Sequence, residues 1–139
     1  MNSTSFQRVV QERLVETIEL DNGVKVELWD LSRVLAGDRW LVSLEARVDI
    51  PLVPDIMPPT PNRERLLRVL RDVFGDNVPY RYIQERHFID EKDKDALFEE
   101  FVTLLKKNVV PYLSHKDFAR RLVLSKIREL EAKDPRLFL

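Results

Sequence analysis

The sequence contains no cysteine, and this absence excludes several kinds of chemistry. A chain without cysteine forms no disulfide, and it holds neither thiolate-ligated zinc nor a cysteine-bound iron–sulfur cluster. The three glycines, Gly23, Gly37 and Gly75, each stand where a turn or a helix end is predicted. None is left for a glycine-rich phosphate loop, which excludes a Rossmann or Walker-type nucleotide enzyme.

Long apolar runs and an excess of one charge are also missing. No uncharged apolar stretch approaches the about 20 residues that span a bilayer, and the first residues lack the pattern of a secretory signal. Lysine and arginine number 23 and aspartate and glutamate 24, so the formal net charge is −1 and favours neither nucleic acid nor an anionic membrane. With 44% apolar and 34% charged residues, we expect a soluble, cytoplasmic, single-domain protein over residues 1–139.

Alternating apolar residues in the first third of the chain predict a sheet over residues 8–50. From Trp40 to Ile50 the even-numbered side chains are apolar and most odd-numbered ones are polar, which is typical of a half-buried strand. Residues 24–28 repeat this parity, and residues 14–20 do so with one interruption. The pattern therefore predicts strands that bury their even-numbered side chains in a common core.

Parity also predicts the length of the two turns, at Asn22-Gly23 and around Gly37. A two-residue loop would place apolar and charged side chains on the same face, whereas a three-residue loop keeps the apolar side chains together. Both hairpins then bury the same even-numbered set, which predicts an antiparallel meander. The predicted pairs are Leu20 with Val24, Val34 with Trp40, and Leu28 with Ala46.

The remaining residues predict mainly helices. Five of the eight prolines lie in residues 51–61, which we expect to form a crossover because proline cannot donate to a sheet ladder. Residues 62–133 then predict a helix with its N-cap at Thr60 and its end at Gly75, a fourth strand over 79–89, and two further helices. The predicted fold is α+β, with a three- or four-stranded antiparallel meander sheet and about three helices packed on one face.

Two side chains in the predicted fourth strand are candidates for chemistry. Glu85 and His87 share one parity, so the carboxylate could orient the imidazole for general-base catalysis in a pocket between sheet and helices. No nucleophile is recognisable beside them, the second histidine is far away, and a structural or surface role is the alternative. We predict no catalytic residue, no cofactor and no metal, and keep an enzyme or small-molecule sensor near His87 as one hypothesis.

A polar cluster surrounds the second predicted hairpin. Carboxylates and a hydroxyl at a sheet end could bind a cation or a polar ligand, although turns also use Asp and Ser to bond their own backbone. The predicted pairing places Asp30 opposite Leu44 on the apolar side, so a buried Asp30 needs a partner, which Arg39 or the Trp40 indole could supply. The other members of the cluster are Ser32, Arg33 and Asp38.

Arg8 and Arg13, followed after a strand by Asp30-Leu31-Ser32, resemble the sequence pattern of the PilZ family. That family binds a cyclic dinucleotide, and its pattern has two arginines separated by three residues and then Asp-x-Ser-x-x-Gly. Here four residues separate the arginines, and Leu35 stands at the place of the glycine. The resemblance covers residues 8–37 and implies a cyclic dinucleotide as ligand, whereas the helices predicted after it differ from the small β-barrel of that family.

Basic residues gather on two predicted helices. Residues 116–139 carry seven Lys/Arg against four acids, whereas residues 1–50 carry six against nine. This asymmetry permits phosphate or nucleic-acid binding or docking on an acidic partner, and a solvated helix face is the alternative. The candidate residues are Arg65, Arg68 and Arg71 on the first helix and Arg120 and Arg121 on the last.

The sequence ends in three apolar residues, Leu137, Phe138 and Leu139. We expect them to pack on their own domain or on a second chain, because this segment would be unfavourable in water. No pattern in the sequence specifies a reaction. The predicted function is therefore a non-enzymatic interaction or binding module, with an unknown protein or a second copy as partner, no membrane, and nucleic acid disfavoured.

Overall fold

The computed structural model describes residues 11–138; Arg8 and Leu139 lie outside the described residues, as does the side chain of Phe138. The strands are β1 (Arg13–Glu19), β2 (Lys25–Asp30), β3 (Arg33–Ala36), β4 (Arg39–Pro51) and β5 (Asn77–Asp90). The helices are α1 (Arg63–Phe74), α2 (Lys94–Asn108), α3 (Val110–Leu113) and α4 (Phe118–Lys133), with 3-10 turns at Pro54–Ile56, Glu91–Asp93 and Pro135–Phe138. The predicted α+β class is confirmed.

The strands form one sheet in the order β1-β2-β4-β3, and β5 pairs with β4. β2 and β3 both run antiparallel to β4 and share one register, in which Leu28 pairs with Ala46 and Val34 with Trp40, as predicted. At the first turn the Leu20 amide donates to the Val24 carbonyl at 2.9 Å. Gly23 has φ of 86°, a conformation that costs glycine little, so the three-residue loop is confirmed.

The second turn differs from the prediction. Ala36 pairs with Arg39, so the loop holds two residues, and the ladder is irregular between Val34 and Ala36. The bulge at this irregularity takes up Leu35 as the extra residue, which preserves the even parity of the ladder before it. Parity alone cannot distinguish a three-residue loop from a two-residue loop with a bulge, because the bulge residue shifts the alternation in the same way as a third loop residue.

Even-numbered side chains of β2 and β4 form the buried face, as the alternation predicts. Those of Val26, Leu28, Val42, Leu44 and Ala46 are fully buried. Leu14 departs from the pattern, since it is 46% exposed in β1, the first strand in the order of the sheet. The odd face of β4 is also covered in part, where Leu41 and Ser43 are buried.

Backbone contacts group the described chain into two compact units. The first contains residues 11–18, 26–47 and 81–109, and the second contains 19–25, 48–80 and 110–138. Strands β4 and β5 each run through both units. The single-domain organisation stays a prediction. No helix of residues 11–138 is long and apolar enough to cross a membrane.

Aromatic side chains and one turn organise the second unit. The rings of Tyr80, Tyr112 and Phe118 lie with their centroids 5.4 to 6.3 Å apart. The Asn22 side-chain amide donates to the carbonyls of Leu113 and His115 at 2.8 and 2.9 Å. The asparagine of the first hairpin turn therefore fixes the backbone that leads into α4.

The sequence predicts the C-terminal ends of α1 and α4 correctly, but it does not predict the N-cap of α1. α1 ends before Gly75, whose φ is 80°, and α4 ends at Lys133, both as predicted. The N-cap of α1 is Asn62 rather than Thr60, and it makes no side-chain capping bond. Thr60 instead accepts a hydrogen bond from the Arg63 amide through its carbonyl, in a turn that precedes the helix.

Candidate ligand-binding cleft

A cleft of about 420 Å³ opens in the first unit. This volume lies within the range of about 300 to 1,000 Å³ that is usual for small-molecule sites. Its walls carry three cationic side chains, Arg13, Arg33 and Lys94, and two carboxylates, Asp30 and Asp95. The lining is completed by Gln11, Ser32, Val34, Trp40 and Phe98.

The break between β2 and β3 supplies the centre of the cleft. Asp30 Oδ1 accepts a hydrogen bond from the Ser32 amide at 2.9 Å, and Ser32 Oγ accepts one from the Ser43 amide at 3.0 Å. The Leu31 amide donates to the Ser43 carbonyl at 3.0 Å, so the break remains attached to β4. Short polar side chains thus replace ladder bonds at this point, which is the use that turns make of Asp and Ser.

Asp30 has a partner that the sequence analysis did not identify. Its Oδ2 lies 2.9 Å from Nη2 of Arg13, and 16% of the Asp30 side chain is exposed against 71% of Arg13. The predicted partners are wrong. Arg39 forms an ion pair with Asp90 instead, and the Trp40 indole N–H donates to Glu91 at 3.3 Å.

Arg33 contributes a cation whose Nε is not satisfied. This atom is buried and has no hydrogen-bond partner among the described residues. Most buried polar atoms in folded proteins have a partner, and leaving a charged donor without one is costly. Arg33 therefore lines the cleft with a guanidinium whose buried Nε has no acceptor among the described residues.

Lys94 and Trp40 form a further part of the wall. The Lys94 ammonium lies 4.8 Å from the centroid of the Trp40 ring, within cation–π distance, and 2.8 Å from a carboxylate oxygen of Asp95. Lys94 is also the first residue of α2, and no side chain caps that helix. The partial positive charge of a helix N-terminus adds to that of the ammonium.

The electrostatics of the cleft follow from these pairings. Three cations against two carboxylates leave one positive charge in excess. Arg13 is paired with Asp30 and Lys94 with Asp95, whereas Arg33 has no ion pair among the described residues. The geometry thus suits an anionic group near Arg33, with apolar and aromatic surface from Val34, Trp40 and Phe98 beside it.

Glu85 and His87 are exposed on β5, and neither lines this cleft. Glu85 accepts a hydrogen bond from the Ser43 hydroxyl at 3.1 Å. The hydrogen bonds of the described residues contain none that joins Glu85 to His87. The carboxylate of Glu85 is therefore used by a neighbouring strand, and the geometry does not orient the imidazole.

The basic candidates of the two helices lie in the second unit. All five are exposed, and Arg71 donates a hydrogen bond to the Leu52 carbonyl at 3.1 Å. Leu137 of the candidate interface is 37% exposed. Over residues 11–138, no three His, Asp or Glu side chains form a group that could hold a metal ion.

The structure brings together three residues of the partial PilZ resemblance, because Arg13, Asp30 and Ser32 all line the cleft. Sequence reasoning singled out Asp30, Ser32 and Arg33 and placed Trp40 beside them, but it missed the contribution of Lys94. Lys94 follows the cluster by more than fifty positions, and no local pattern relates the two. A search of protein-family models, of curated proteins and of solved structures finds no match to the chain.

Proposed function

We propose that the protein is a binding module for a small anionic ligand, which binds in the cleft of the first unit. The observation that supports this most is the buried, unpartnered Nε of Arg33 in the wall of a ligand-sized cleft. An anionic group in the cleft would compensate the charge of this guanidinium. Arginine is suited to phosphate and carboxylate groups because its planar fork donates two parallel hydrogen bonds.

The neighbouring side chains favour a phosphate attached to a planar ring. Ser32 Oγ already accepts from the Ser43 amide, so its hydroxyl proton remains available to donate to a phosphate oxygen. Trp40, Val34 and Phe98 supply apolar wall for a ring or other apolar part. A nucleotide combines both features. The partial PilZ resemblance of Arg13 and Asp30-Leu31-Ser32 implies one class of nucleotide, the cyclic dinucleotides.

A direct test is titration calorimetry, supported by thermal unfolding, on the full chain. The probes are cyclic dinucleotides with guanine or adenine bases, the mononucleotides GMP and AMP, and inorganic phosphate. We expect at least one probe to bind, to raise the melting temperature with concentration, and to bind more weakly as salt is added.

The variant that tests the site is Arg33→Gln, which removes the charge but keeps a polar side chain of similar length. Loss of a hydrogen bond to a charged group costs about 1.5 to 3 kcal/mol, so we expect at least about tenfold weaker binding. Arg68→Gln makes the same change on the exposed surface of α1 and serves as the matched control. Binding of no probe, or equal losses in both variants, would contradict the proposal.

A second candidate function is self-association through the C-terminal segment. The observation that favours it is the partial exposure of Leu137, an apolar side chain that a second copy would remove from water.

A further inference from the structure

We infer that Asp30 sets the ligand affinity of the cleft, because it holds Arg13 in an ion pair that an anionic ligand must take over. The inference rests on the proposed function and identifies the side chain that competes with the ligand for Arg13. It follows from how the three cations of the cleft are used: Arg33 has an unsatisfied donor, whereas Arg13 and Lys94 are each paired with a carboxylate.

The two partners of the Arg13–Asp30 pair differ in how firmly they are held. Asp30 Oδ2 contacts Arg13 Nη2 at 2.9 Å, while its Oδ1 accepts the Ser32 amide at the break between β2 and β3. Only 16% of the Asp30 side chain is exposed, whereas 71% of the Arg13 side chain is. Asp30 is therefore fixed by the backbone, and Arg13 is the partner that can change its contacts.

An entering anion meets Asp30 in the same cleft as Arg33. The fixed carboxylate repels the anion, and it also occupies the guanidinium that would otherwise help to bind it. The ligand gains the second arginine only when Arg13 leaves Asp30. The carboxylate thus lowers the affinity of the empty cleft for anions in general and favours ligands whose charge is sufficient to displace it.

The Lys94–Asp95 pair provides an internal comparison. Its ammonium and carboxylate are 2.8 Å apart, but 90% of the Asp95 side chain is exposed. Water and salt screen an exposed carboxylate far more than one that is mostly covered. Neutralising Asp95 therefore changes the formal charge of the cleft equally, but it should change anion affinity much less than neutralising Asp30.

The main experiment compares Asp30→Asn with Asp95→Asn in the full chain, by calorimetric titration at low salt with the probe that the wild-type protein binds. Asn keeps the side-chain oxygen that accepts the Ser32 amide, so the backbone at the break is preserved. We expect Asp30→Asn to bind about fivefold to tenfold more tightly and Asp95→Asn to stay within about twofold of wild type. Unchanged or weaker binding by Asp30→Asn would overturn the inference.

A double variant separates the release of Arg13 from simple removal of negative charge. In an Arg13→Gln background no guanidinium remains to be released, so adding Asp30→Asn removes only the repulsion and should improve binding less than it does in the wild-type background. A gain as large as in the wild-type background would show that Arg13 is not involved, and would sink the inference while leaving the proposed function intact.

A measurement on the wild-type protein avoids any dependence on how the variants fold. The Arg13 guanidinium N–H resonances, assigned by NMR, should move when the bound probe is added, because the side chain exchanges Asp30 for the anion. Arg13 resonances that do not move while those of Arg33 do would contradict the exchange. If the wild-type protein binds none of the probes, the proposed function itself fails, and that result is distinct from the outcomes above.

Discussion

Several charged side chains of the first unit pair across neighbouring elements, whereas most helix cations of the second unit lie on exposed surface. In the first unit, Arg13 pairs with Asp30 and Lys106 with Glu16. In the second unit, Arg71 donates to a backbone carbonyl, and Arg68 is exposed. Among the buried side-chain polar atoms of the described residues, the Nε of Arg33 alone has no hydrogen-bond partner, and Arg33 lines the cleft.

Arg47 illustrates how completely a cation of the first unit can be compensated. Its guanidinium contacts the carboxylates of Glu12 and Glu45 and lies 4.6 Å from the centroid of the Trp29 ring. Burial by itself would lower the pKa of Arg47, but the hydrogen bonds and charges of the two glutamates outweigh it and raise the pKa. The charge of Arg47 is thus compensated by two carboxylates, whereas Arg33 has no ion pair among the described residues.

The largest expected effect is on the free energy of unfolding, and it tests whether the two units unfold separately. Phe101 of the first unit and Phe118 of the second are both fully buried. We expect Phe101→Ala and Phe118→Ala each to lower the free energy of unfolding by about 3 to 5 kcal/mol. Since β4 and β5 run through both units, each variant should still show one transition in denaturant. Two separate transitions, followed by circular dichroism and tryptophan fluorescence, would contradict the predicted single domain.

An intermediate effect concerns the C-terminal segment of the second unit. Deleting residues 137–139 should lower the apparent mass of the protein in sizing chromatography if these apolar side chains join two copies. The full chain, run over a range of concentrations, is the control. A monomer of unchanged apparent mass in both proteins would refute self-association through this segment.

The smallest effect is expected for the exposed basic residues of α1. Replacing Arg65, Arg68 and Arg71 by Gln removes three charges from screened surface positions, so retention on heparin should decrease slightly and only at low salt. Calorimetric affinity of the cleft for its probe should stay within about twofold. A large, salt-dependent loss of retention would instead favour nucleic-acid or phosphate binding by this helix face. The binding site would then lie in the second unit and not in the first.

Much of the fold could be predicted from local sequence patterns. The alternation from Trp40 to Ile50 predicts the buried face of β4, because a strand presents successive side chains to opposite faces. The register of the hairpins follows from keeping these apolar side chains together, and the paired residues Leu28 and Ala46 confirm it. Leu14 escaped this argument, because alternation shows which side chains share a face but not how fully neighbouring elements cover it.

The candidate site could be predicted only in part. Asp30 and Ser32 lie two positions apart, so their use at a turn is visible in the sequence, and the structure confirms the bond between them. The partner of Asp30 was predicted wrongly. Arg39 and Trp40 are closer in sequence than Arg13, but the order of the strands brings β1 beside β2.

The sequence by itself determined the fold class, the parity of the strands and the ends of α1 and α4, because each depends on the steric and solvation preferences of residues near one another in the chain. Only the tertiary structure decided which charges are paired, which donor remains unsatisfied and that the start of α2 contributes Lys94 to the cleft. Ion pairs and clefts depend on distances in space, and these distances are set by strand order and packing rather than by local pattern.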